Sequence, residues 1–181
     1  MPGGLEMDKK HLREALRSLF SISLFKAVAS SVGYYLHEHV TWRYHIKHGS
    51  NLRVHSTASI RNAQNITVGV NSHINQNCCI WCGEKSKITL GDNLLMGPGV
   101  KMFSTNHGTS MKEPMTFQES SEADIIIGND CWIGANSVIL KGVTVPDGCV
   151  IAAGSVVSKS LTDSYAIYGG IPAKKISERK E

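Results

Sequence analysis

The sequence predicts a mainly β protein in which short strands wind into a solenoid of stacked triangular coils. Aliphatic residues recur at every sixth position over six consecutive hexads near the carboxyl end. An amphipathic helix would repeat at three and four residues, and a half-buried strand would alternate at two. Turn-forming pairs such as Asn129-Asp130 and Asp147-Gly148 separate the β-prone pieces. The in-phase positions are Ile127, Ile133, Ile139, Val145, Ile151 and Val157.

The same period runs through the earlier part of the chain, interrupted by two slips. An eight-residue step separates Ile60 from Val68, and a ten-residue step separates Ile80 from Leu90. Each hexad supplies one short strand with one inward aliphatic side chain, and three strands complete one coil. The period therefore predicts about 14 strands in about five coils, each burying the core of its neighbour. The earlier in-phase residues are Val54, Ile60, Val68, Ile74, Ile80, Leu90, Met96 and Met102.

The slips and one longer gap in the period are interpreted as loops that leave the solenoid. The ten-residue step contains Gly83-Glu84-Lys85-Ser86, and the longest gap runs over residues 104–124. A loop of about 20 residues is uncommon in a compact domain and usually has a functional role. We therefore expect the solenoid domain to span residues 54–160, with 104–124 as an excursion loop.

The two ends of the chain depart from the hexad period. In residues 1–53, apolar residues such as Leu12 and Leu16 recur at helical spacing with arginines between them. We expect one or two helices that cap the open first coil, because solenoid ends need covers. A basic amphipathic helix lying on an acidic membrane surface is the alternative. Residues 161–181 predict a turn at 169–172, followed by a short basic helix or tail.

Composition and charge limit the classes of function. The 181 residues include 41% hydrophobic and 19% charged residues, the balance of one soluble globular domain rather than a disordered chain. No apolar run reaches the roughly 18 residues of a membrane span, and acidic residues near the amino end argue against a signal peptide. Residues 54–181 hold eleven basic and eleven acidic residues, so the formal charge of +4 arises within residues 1–53. The solenoid is therefore not expected to bind nucleic acid.

Five cysteines stand in two groups without a regular spacing between them. A zinc site needs a second cysteine pair or suitably spaced histidines, and the Cys79–Cys82 pair has neither. An odd number of thiols without a disulfide pattern is typical of a reducing compartment. We therefore expect buried, reduced thiols, no metal site and a cytoplasmic location, with peripheral attachment at the inner membrane surface under the amphipathic-helix alternative. The cysteines are Cys78, Cys79, Cys82, Cys131 and Cys149.

Two segments resemble the hexapeptide-repeat acyltransferases: Ile88–Asn93, which reads ITLGDN, and Asn129–Leu140, which reads NDCWIGANSVIL. The resemblance spans residues 54–177 and is greatest to galactoside and maltose O-acetyltransferases and to acetyltransferases of surface-polysaccharide clusters. It implies a left-handed parallel β-helix, a homotrimer with active sites between neighbouring subunits, acetyl-CoA as the acyl donor, and a sugar or polysaccharide acceptor. Residues 1–53 do not match the helical segment that supplies acceptor contacts in the galactoside and maltose enzymes.

Acetyl transfer to a sugar hydroxyl needs a base, because the hydroxyl is far too weak an acid to ionise alone at neutral pH. Histidine is the side chain suited to that task, and the solenoid offers His55, His73 and His107. The resemblance places His107, on the excursion loop, at the position of the family's catalytic histidine. It also places Asn77 at the acetyl and acceptor site, where an amide can both donate and accept hydrogen bonds.

Four further residues bear on the acceptor and on the orientation of the base. The family position with an acidic acceptor contact is occupied by Lys85 here, with Glu84 adjacent. The identity of the sugar is therefore not carried over from the family. Glu119 and Glu122 are the loop carboxylates that could orient His107.

The resemblance also implies where coenzyme A would bind, along a groove between two subunits. Small side chains would let the pantetheine arm approach the backbone, and lysines would meet its phosphates as point charges. Near the carboxyl end, lysine stands where relatives often carry arginine. The residues at the corresponding positions are Trp132, Ala135, Ala153, Ser158, Lys159 and Lys174.

Three alternatives to an O-acetyltransferase remain open. An N-acetyltransferase of an amino sugar would use the same site chemistry. A non-catalytic hexapeptide assembly protein would need neither the loop histidine nor the Trp132-Ile133-Gly134 pattern. A metal enzyme on the same solenoid would need three converging histidines, but Lys112 stands where the expected companion of His107 would be. We therefore predict an acetyl-CoA-dependent O-acetyltransferase acting on a sugar or surface polysaccharide.

Overall fold

Three parallel sheets enclose one aliphatic core, as the six-residue period predicts. The structure is a computed structural model that describes residues 8–180, so the remaining residues of the predicted terminal segments lie outside the described part. The chain divides into a helical unit, up to residue 37, and a solenoid unit from residue 38. The fold class is therefore confirmed: a left-handed parallel β-helix with an N-terminal helical segment and an excursion loop.

In the described part of the chain, fifteen short strands form five coils of three strands each, two further strands form a ribbon in the excursion loop, and the last two form a hairpin after the last coil. The strands are β1 (Lys47–His48), β2 (Arg53–Val54), β3 (Ser59–Arg61), β4 (Ile66–Val68), β5 (His73–Ile74), β6 (Cys79–Trp81), β7 (Ile88–Leu90), β8 (Leu95–Met96), β9 (Lys101–Phe103), β10 (Thr105–Asn106), β11 (Ser121–Glu122), β12 (Ile125–Ile127), β13 (Trp132–Ile133), β14 (Val138–Leu140), β15 (Thr144–Val145), β16 (Val150–Ile151), β17 (Val156–Val157), β18 (Ala166–Gly170) and β19 (Ala173–Glu178).

Each side of the triangular coil contributes one sheet. Sheet 1 contains β1, β4, β7, β12 and β15; sheet 2 contains β2, β5, β8, β13, β16, β18 and β19; sheet 3 contains β3, β6, β9, β14 and β17. We call the turns that lead from sheet 2 to sheet 3 the 2–3 corner, and those that lead from sheet 3 to sheet 1 the 3–1 corner. All pairs between successive coils are parallel.

The hexad aliphatic residues stack in register and form the core. In sheet 2, for example, Ile74 pairs with Met96, Met96 with Ile133, and Ile133 with Ile151. All four side chains are almost fully buried. Full burial of one such side chain stabilises the fold by about 1.5–3 kcal/mol, so the stability of the solenoid accumulates along these columns.

Left-handed backbone conformations turn the chain at the corners. At the 2–3 corner, Asn77, Gly99, Asn136 and Gly154 occupy equivalent places in four coils and all have a positive φ. Asparagine and glycine tolerate this conformation better than other residues. These corner residues therefore serve the turn geometry, and Asn77 and Asn136 are exposed and take no part in the core.

The solenoid begins one strand earlier than the period indicates. Strand β1 pairs in parallel with β4, and His48 lies opposite Val68. His48 thus occupies the place of an aliphatic hexad residue, which is why the pattern detected its first strand only at Val54. Trp42 and Ile46, which precede β1, are buried and join the core at this end.

The carboxyl end differs from the expectation of a basic helix or tail after the turn. Residues 166–170 add strand β18 to sheet 2, and β19 folds back against it as an antiparallel partner. Ala166 and Tyr168 alternate inward on β18 and are buried. Because the last coil leaves unpaired backbone groups at the edge of sheet 2, the segment is stabilised as a strand and not as a helix.

A buried carboxylate fixes the point where the chain enters the solenoid. Glu38 accepts hydrogen bonds from the hydroxyl of Ser59 and, at 2.5 Å, from Nε of Arg61. The Arg61 guanidinium lies 3.7 Å from the ring centroid of Trp81, whose Nε1 donates to the Ser59 hydroxyl at 2.8 Å. Burial alone would raise the pKa of Glu38, but the two hydrogen bonds and the charge of Arg61 hold it below its usual value.

The helical unit confirms the prediction of one or two N-terminal helices. It contains α1 (Lys9–Leu19) and most of α2 (Ile22–His39), and the Asp8 side chain caps α1. Large apolar side chains are exposed along both helices. Within residues 8–180 no single helix is long and apolar enough to cross a membrane; α1 and α2 meet that criterion only together, as a pair bent by 63°. Capping of the first coil by these helices stays a prediction.

Adjacent isoleucines in β12 test the importance of the inward columns. Ile127 is 1% exposed and Ile126 is 45% exposed. We expect Ile127→Ala to lower the free energy of unfolding by about 2–5 kcal/mol, because it leaves a cavity in the core. The matched variant Ile126→Ala should cost less than about 0.5 kcal/mol. Chemical denaturation of both variants gives the comparison, and equal losses would contradict the inward assignment of Ile127.

Candidate active site

The 2–3 corner presents Asn77 to solvent beside a column of tight turns. Asn77 is exposed, has a φ of 56°, and donates its backbone N–H to the Thr57 hydroxyl at 2.9 Å. Its side-chain amide has no hydrogen-bond partner among residues 8–180. The left-handed turn thus holds the backbone of Asn77, and the amide stays available to a ligand.

Small residues occupy the same corner as Asn77 in the later coils. Ala135 and Ala153 lie at the 2–3 corner of the fourth and fifth coils, and the N–H of Gly154 donates to the carbonyl of Ala135 at 2.8 Å. A Cβ added to Gly134 would lie 2.5 Å from the backbone nitrogen of Ala153. The two turns therefore stack at backbone contact, and an extended ligand could lie against them without meeting large side chains.

Trp132 and Lys174 flank this corner. Trp132 points outward from sheet 2, is 54% exposed, and stands between Leu95 and Val150 in the parallel register. Lys174 is exposed on β19 and pairs with Gly169. A Cβ on Gly169 would lie 3.2 Å from the Cβ of Ala152, next to Ala153. An aromatic surface and a cation thus border the small-residue column.

Two of the predicted coenzyme-binding residues lie elsewhere in the chain. Ser158 and Lys159 follow β17 and are exposed at the 3–1 corner of the fifth coil. The structure therefore brings Trp132, Ala135, Ala153 and Lys174 together, and places Ser158 and Lys159 at the other end of sheet 3.

His107 lies on the excursion loop, which leaves the solenoid at the 3–1 corner of the third coil. Strands β10 and β11 pair antiparallel, with Thr105 opposite Glu122 and Asn106 opposite Ser121. His107 follows β10 directly and is exposed, and none of the described residues forms a hydrogen bond with its ring. The ribbon thus fixes the backbone of the loop up to the residue before the histidine.

A glutamine that sequence reasoning missed braces the far side of the loop. The Gln118 amide accepts from the backbone N–H of Ser110 at 2.8 Å and donates to the carbonyls of Ser110 and Glu113, both at 2.7 Å. A Cβ on Gly108 would lie 2.6 Å from the Gln118 Oε1. Gln118 therefore packs against the residue after His107. No spacing in the sequence signals this role, because the partners are backbone groups of the same irregular loop.

The loop carboxylates do not orient His107 in the way considered from the sequence. Neither Glu119 nor Glu122 hydrogen-bonds to His107 within the described part of the chain, and the Glu122 carboxylate contacts the turn at residues 83–86 instead. The antiparallel ribbon explains this, since Glu122 pairs with Thr105 at the root of the loop, where its side chain faces the preceding coil.

Asn77 and His107 belong to different corners of the coil. Asn77 precedes β6 at the 2–3 corner, whereas the excursion loop follows β9 at the 3–1 corner. A strand advances about 3.3 Å per residue, so the distance along sheet 3 between these corners is on the order of 20 Å. The two predicted site residues of one chain are therefore anchored at opposite ends of sheet 3.

The thiols are packing groups. All five cysteines are free, and four of them are buried. Burial raises the pKa of Cys131 to about 11 and raises the pKa of the other four thiols as well. Within residues 8–180, no group of three histidine, cysteine or acidic side chains lies close enough to hold a metal ion.

Comparison with known proteins places this fold among acetyltransferases of similar sequence and structure. The family described as "Hexapeptide repeat of succinyl-transferase" matches residues 124–159. The galactoside O-acetyltransferase of Escherichia coli K12 is 35% identical over 130 residues, which cover 72% of this chain and 62% of that enzyme. The dTDP-4-amino-4,6-dideoxy-D-glucose acyltransferase of Escherichia coli is 28% identical over 158 residues, covering 74% of this chain and 82% of that protein.

The solved structures extend the likeness over most of the chain. A hexapeptide-repeat acetyltransferase of Vibrio cholerae O1 biovar eltor, in complex with acetyl-CoA, superposes with a TM-score of 0.72 and 26% identity, covering 89% of this chain and 92% of that one. The resemblance to hexapeptide-repeat acetyltransferases is therefore confirmed. Neither the described residues nor these relatives support the alternative of a membrane contact through residues 1–53.

A substitution at Gly108 tests whether the contacts of Gln118 stabilise the excursion loop. We expect Gly108→Ala to displace Gln118, because the added Cβ would lie 2.6 Å from its Oε1. Backbone amides of residues 104–120 should then exchange with deuterium faster. The adjacent residue Thr109 is exposed, so Thr109→Ala is the matched control and should leave exchange unchanged. Equal exchange in both variants would show that Gln118 does not brace the loop.

Proposed function

We propose that this hexapeptide-repeat β-helix protein is an acetyl-CoA-dependent O-acetyltransferase that acts on a hydroxyl of a sugar or surface polysaccharide. The observation that carries the proposal is the exposed ring of His107, which forms no hydrogen bond with any described residue and lies on a loop held by Gln118. A similar protein of the same fold binds acetyl-CoA. The likeness to a galactoside O-acetyltransferase favours a sugar hydroxyl as the acceptor. Because the chain spans 62% of that enzyme's length, the acceptor is assigned by class only.

The 2–3 corner fits an extended acyl donor. Ala135 and Ala153 keep the corner free of large side chains, Trp132 offers an apolar surface, and Lys174 offers a positive charge to a phosphate. Lys159, at the 3–1 corner, supplies a second exposed cation. When bound, acetyl-CoA supplies a thioester whose carbonyl carbon accepts the nucleophile.

His107 would act as the general base in this reaction. Its ring nitrogen removes the proton of the acceptor hydroxyl while the hydroxyl oxygen bonds to the thioester carbonyl carbon. The Asn77 amide is suited to donate to the carbonyl oxygen as negative charge develops there. The carbon–sulfur bond then breaks, and the imidazolium returns its proton to the departing thiolate, which leaves the histidine neutral for the next cycle.

N-acetylation of an amino sugar is the second candidate. The likeness to the dTDP-amino-sugar acyltransferase favours it, since that protein's acceptor carries an amine. A screen with paired acceptors, bearing a hydroxyl or an amine at the same ring position, distinguishes the two when release of the CoA thiol is followed. A non-catalytic assembly protein would release no thiol with any acceptor.

We further propose that the active unit is a homotrimer. Asn77 and the root of the His107 loop lie at opposite ends of sheet 3, about 20 Å apart by strand length. Closed threefold symmetry would bring the 2–3 corner of one subunit to the 3–1 corner of the next. Each site would then combine Asn77 of one chain with His107 of its neighbour.

A cytoplasmic location completes the proposal. It rests on the five cysteines, which form no disulfide in the structure, as is typical of proteins of a reducing compartment. Labelling of intact cells with a membrane-impermeant amine reagent, which would reach exposed lysines such as Lys174, compared with labelling after lysis, tests it directly; equal labelling before and after lysis would exclude a cytoplasmic location.

Replacement of His107 tests the proposed base. We expect His107→Ala to lower kcat about 10²–10⁴-fold, the usual value of a positioned proton transfer. His107→Asn should be almost as slow, because an amide keeps part of the shape but cannot take the proton. Binding of acetyl-CoA, measured by calorimetry, should change little in both variants. Retention of more than about a tenth of the wild-type kcat in His107→Ala would exclude His107 as the base.

Subunit mixing tests the shared site. Asn77→Gly preserves the left-handed turn and removes the amide, so it should be inactive while folded, as should His107→Ala. If each site combines residues of two neighbours, trimers refolded from an equal mixture should regain activity at about a quarter of their sites. Wild type mixed with either variant controls for refolding yield. No recovery in the mixture of variants would place both residues of a site in one subunit.

A further inference from the structure

Two of the excursions from the solenoid, at residues 83–86 and 104–124, meet at the carboxylate of Glu122. Glu122 lies at the end of the 104–124 loop, and its Oε2 accepts the backbone N–H groups of Lys85 and Ser86 at 2.9 and 2.8 Å. The Ser86 hydroxyl donates to the same oxygen at 3.0 Å. One carboxylate oxygen therefore closes the turn at residues 83–86 from a position 36 residues further along the chain.

The turn is shaped to receive this carboxylate. A Cβ on Gly83 would overlap the Glu122 carboxylate, so a glycine is needed beneath it. The hydrogen bonds from Lys85 and Ser86 hold the pKa of Glu122 below its usual range, because they stabilise the charged form of the carboxylate. Charge-assisted hydrogen bonds are roughly twice as strong as neutral ones.

Buried hydroxyls extend the contact into the wall of the solenoid. The Ser104 hydroxyl accepts the N–H of Gly83 at 2.8 Å and lies 2.7 Å from the Ser86 hydroxyl. Ser86 and Ser104 are both buried. Ser104 begins the excursion loop, and its carbonyl accepts the N–H of Ala123 at 3.0 Å. Both ends of the loop are thus bound to the turn by one continuous set of hydrogen bonds.

This set of contacts leads directly to His107. Glu122 pairs with Thr105 in the β10–β11 ribbon, and Asn106 is the last residue of that ribbon before His107. We propose that Glu122 is a positioning residue that clamps the root of the excursion loop onto the 83–86 turn and thereby sets the place of His107. The inference rests on the proposed role of His107 as the base.

Three variants separate positioning from general destabilisation. Glu122→Ala removes the acceptor and leaves the N–H groups of Lys85 and Ser86 without it. Glu122→Gln keeps an oxygen in the same place, and since Oε2 accepts all three of these hydrogen bonds, the amide oxygen can accept them instead. Glu113→Gln is the matched control, because Glu113 lies on the same loop with an exposed side chain.

We expect Glu122→Ala to lower kcat by about 10–100-fold, because a small displacement of a reacting group is sufficient for such a loss. Its affinity for acetyl-CoA should stay close to wild type, and its melting temperature should fall by only a few degrees, because a few hydrogen bonds are lost while the core columns are intact. Glu122→Gln should retain kcat within about threefold, since neutral hydrogen bonds replace charged ones. Deuterium exchange in peptides covering residues 83–87 and 104–110 should rise in Glu122→Ala and not in Glu113→Gln.

The exchange experiment does not depend on catalysis. Unchanged exchange in Glu122→Ala would overturn the clamp, whatever the enzyme's acceptor. Raised exchange with an unchanged kcat would overturn the positioning role. Loss of acetyl-CoA binding together with kcat would show a general structural defect and would also overturn it. A wild-type chain without acetyltransferase activity towards any sugar would instead refute the proposed function.

Discussion

The parallel stacking of one inward aliphatic residue per strand is the constraint on which the rest of the structure depends. Ile74, Met96, Ile133 and Ile151 share one column, and a shift of register by one residue would turn each of them outward. Each side of the triangle must therefore keep the same length from one coil to the next. Additional residues can leave only at the corners, and there they add loops without disturbing the columns.

The 2–3 corner and the 3–1 corner meet this constraint in different ways. The 2–3 corner keeps its coils tight through left-handed turns such as that of Asn77, and small residues such as Ala153 line it. The 3–1 corner instead carries both long excursions, at residues 83–86 and 104–124. The proposed donor surface and the proposed base thus stand at opposite ends of sheet 3, which is the physical reason to expect a site shared between subunits.

Polar groups buried at the wall of the solenoid form their hydrogen bonds with one another in small local networks. Glu38 is held by Ser59 and Arg61 where the chain enters the coils, and Ser86 and Ser104 are held with Glu122 where the long loop leaves. Among the described residues, no buried side-chain nitrogen or oxygen lacks a partner. Because an unsatisfied buried polar group costs about 1–3 kcal/mol, such sets fix the geometry of both departures from the repeat.

The sequence by itself determined the coils, their number and the excursion loop, because each buried column requires aliphatic residues and these recur at every sixth position. It missed strand β1, where His48 takes an aliphatic place, and strand β19, which is stabilised by the open edge of sheet 2. Only the tertiary structure decided the contacts of Gln118 and Glu122, the separation of Asn77 from His107, and the division of the predicted coenzyme residues between two corners. These depend on contacts between coils and within an irregular loop, which follow no period and therefore leave no pattern in the sequence.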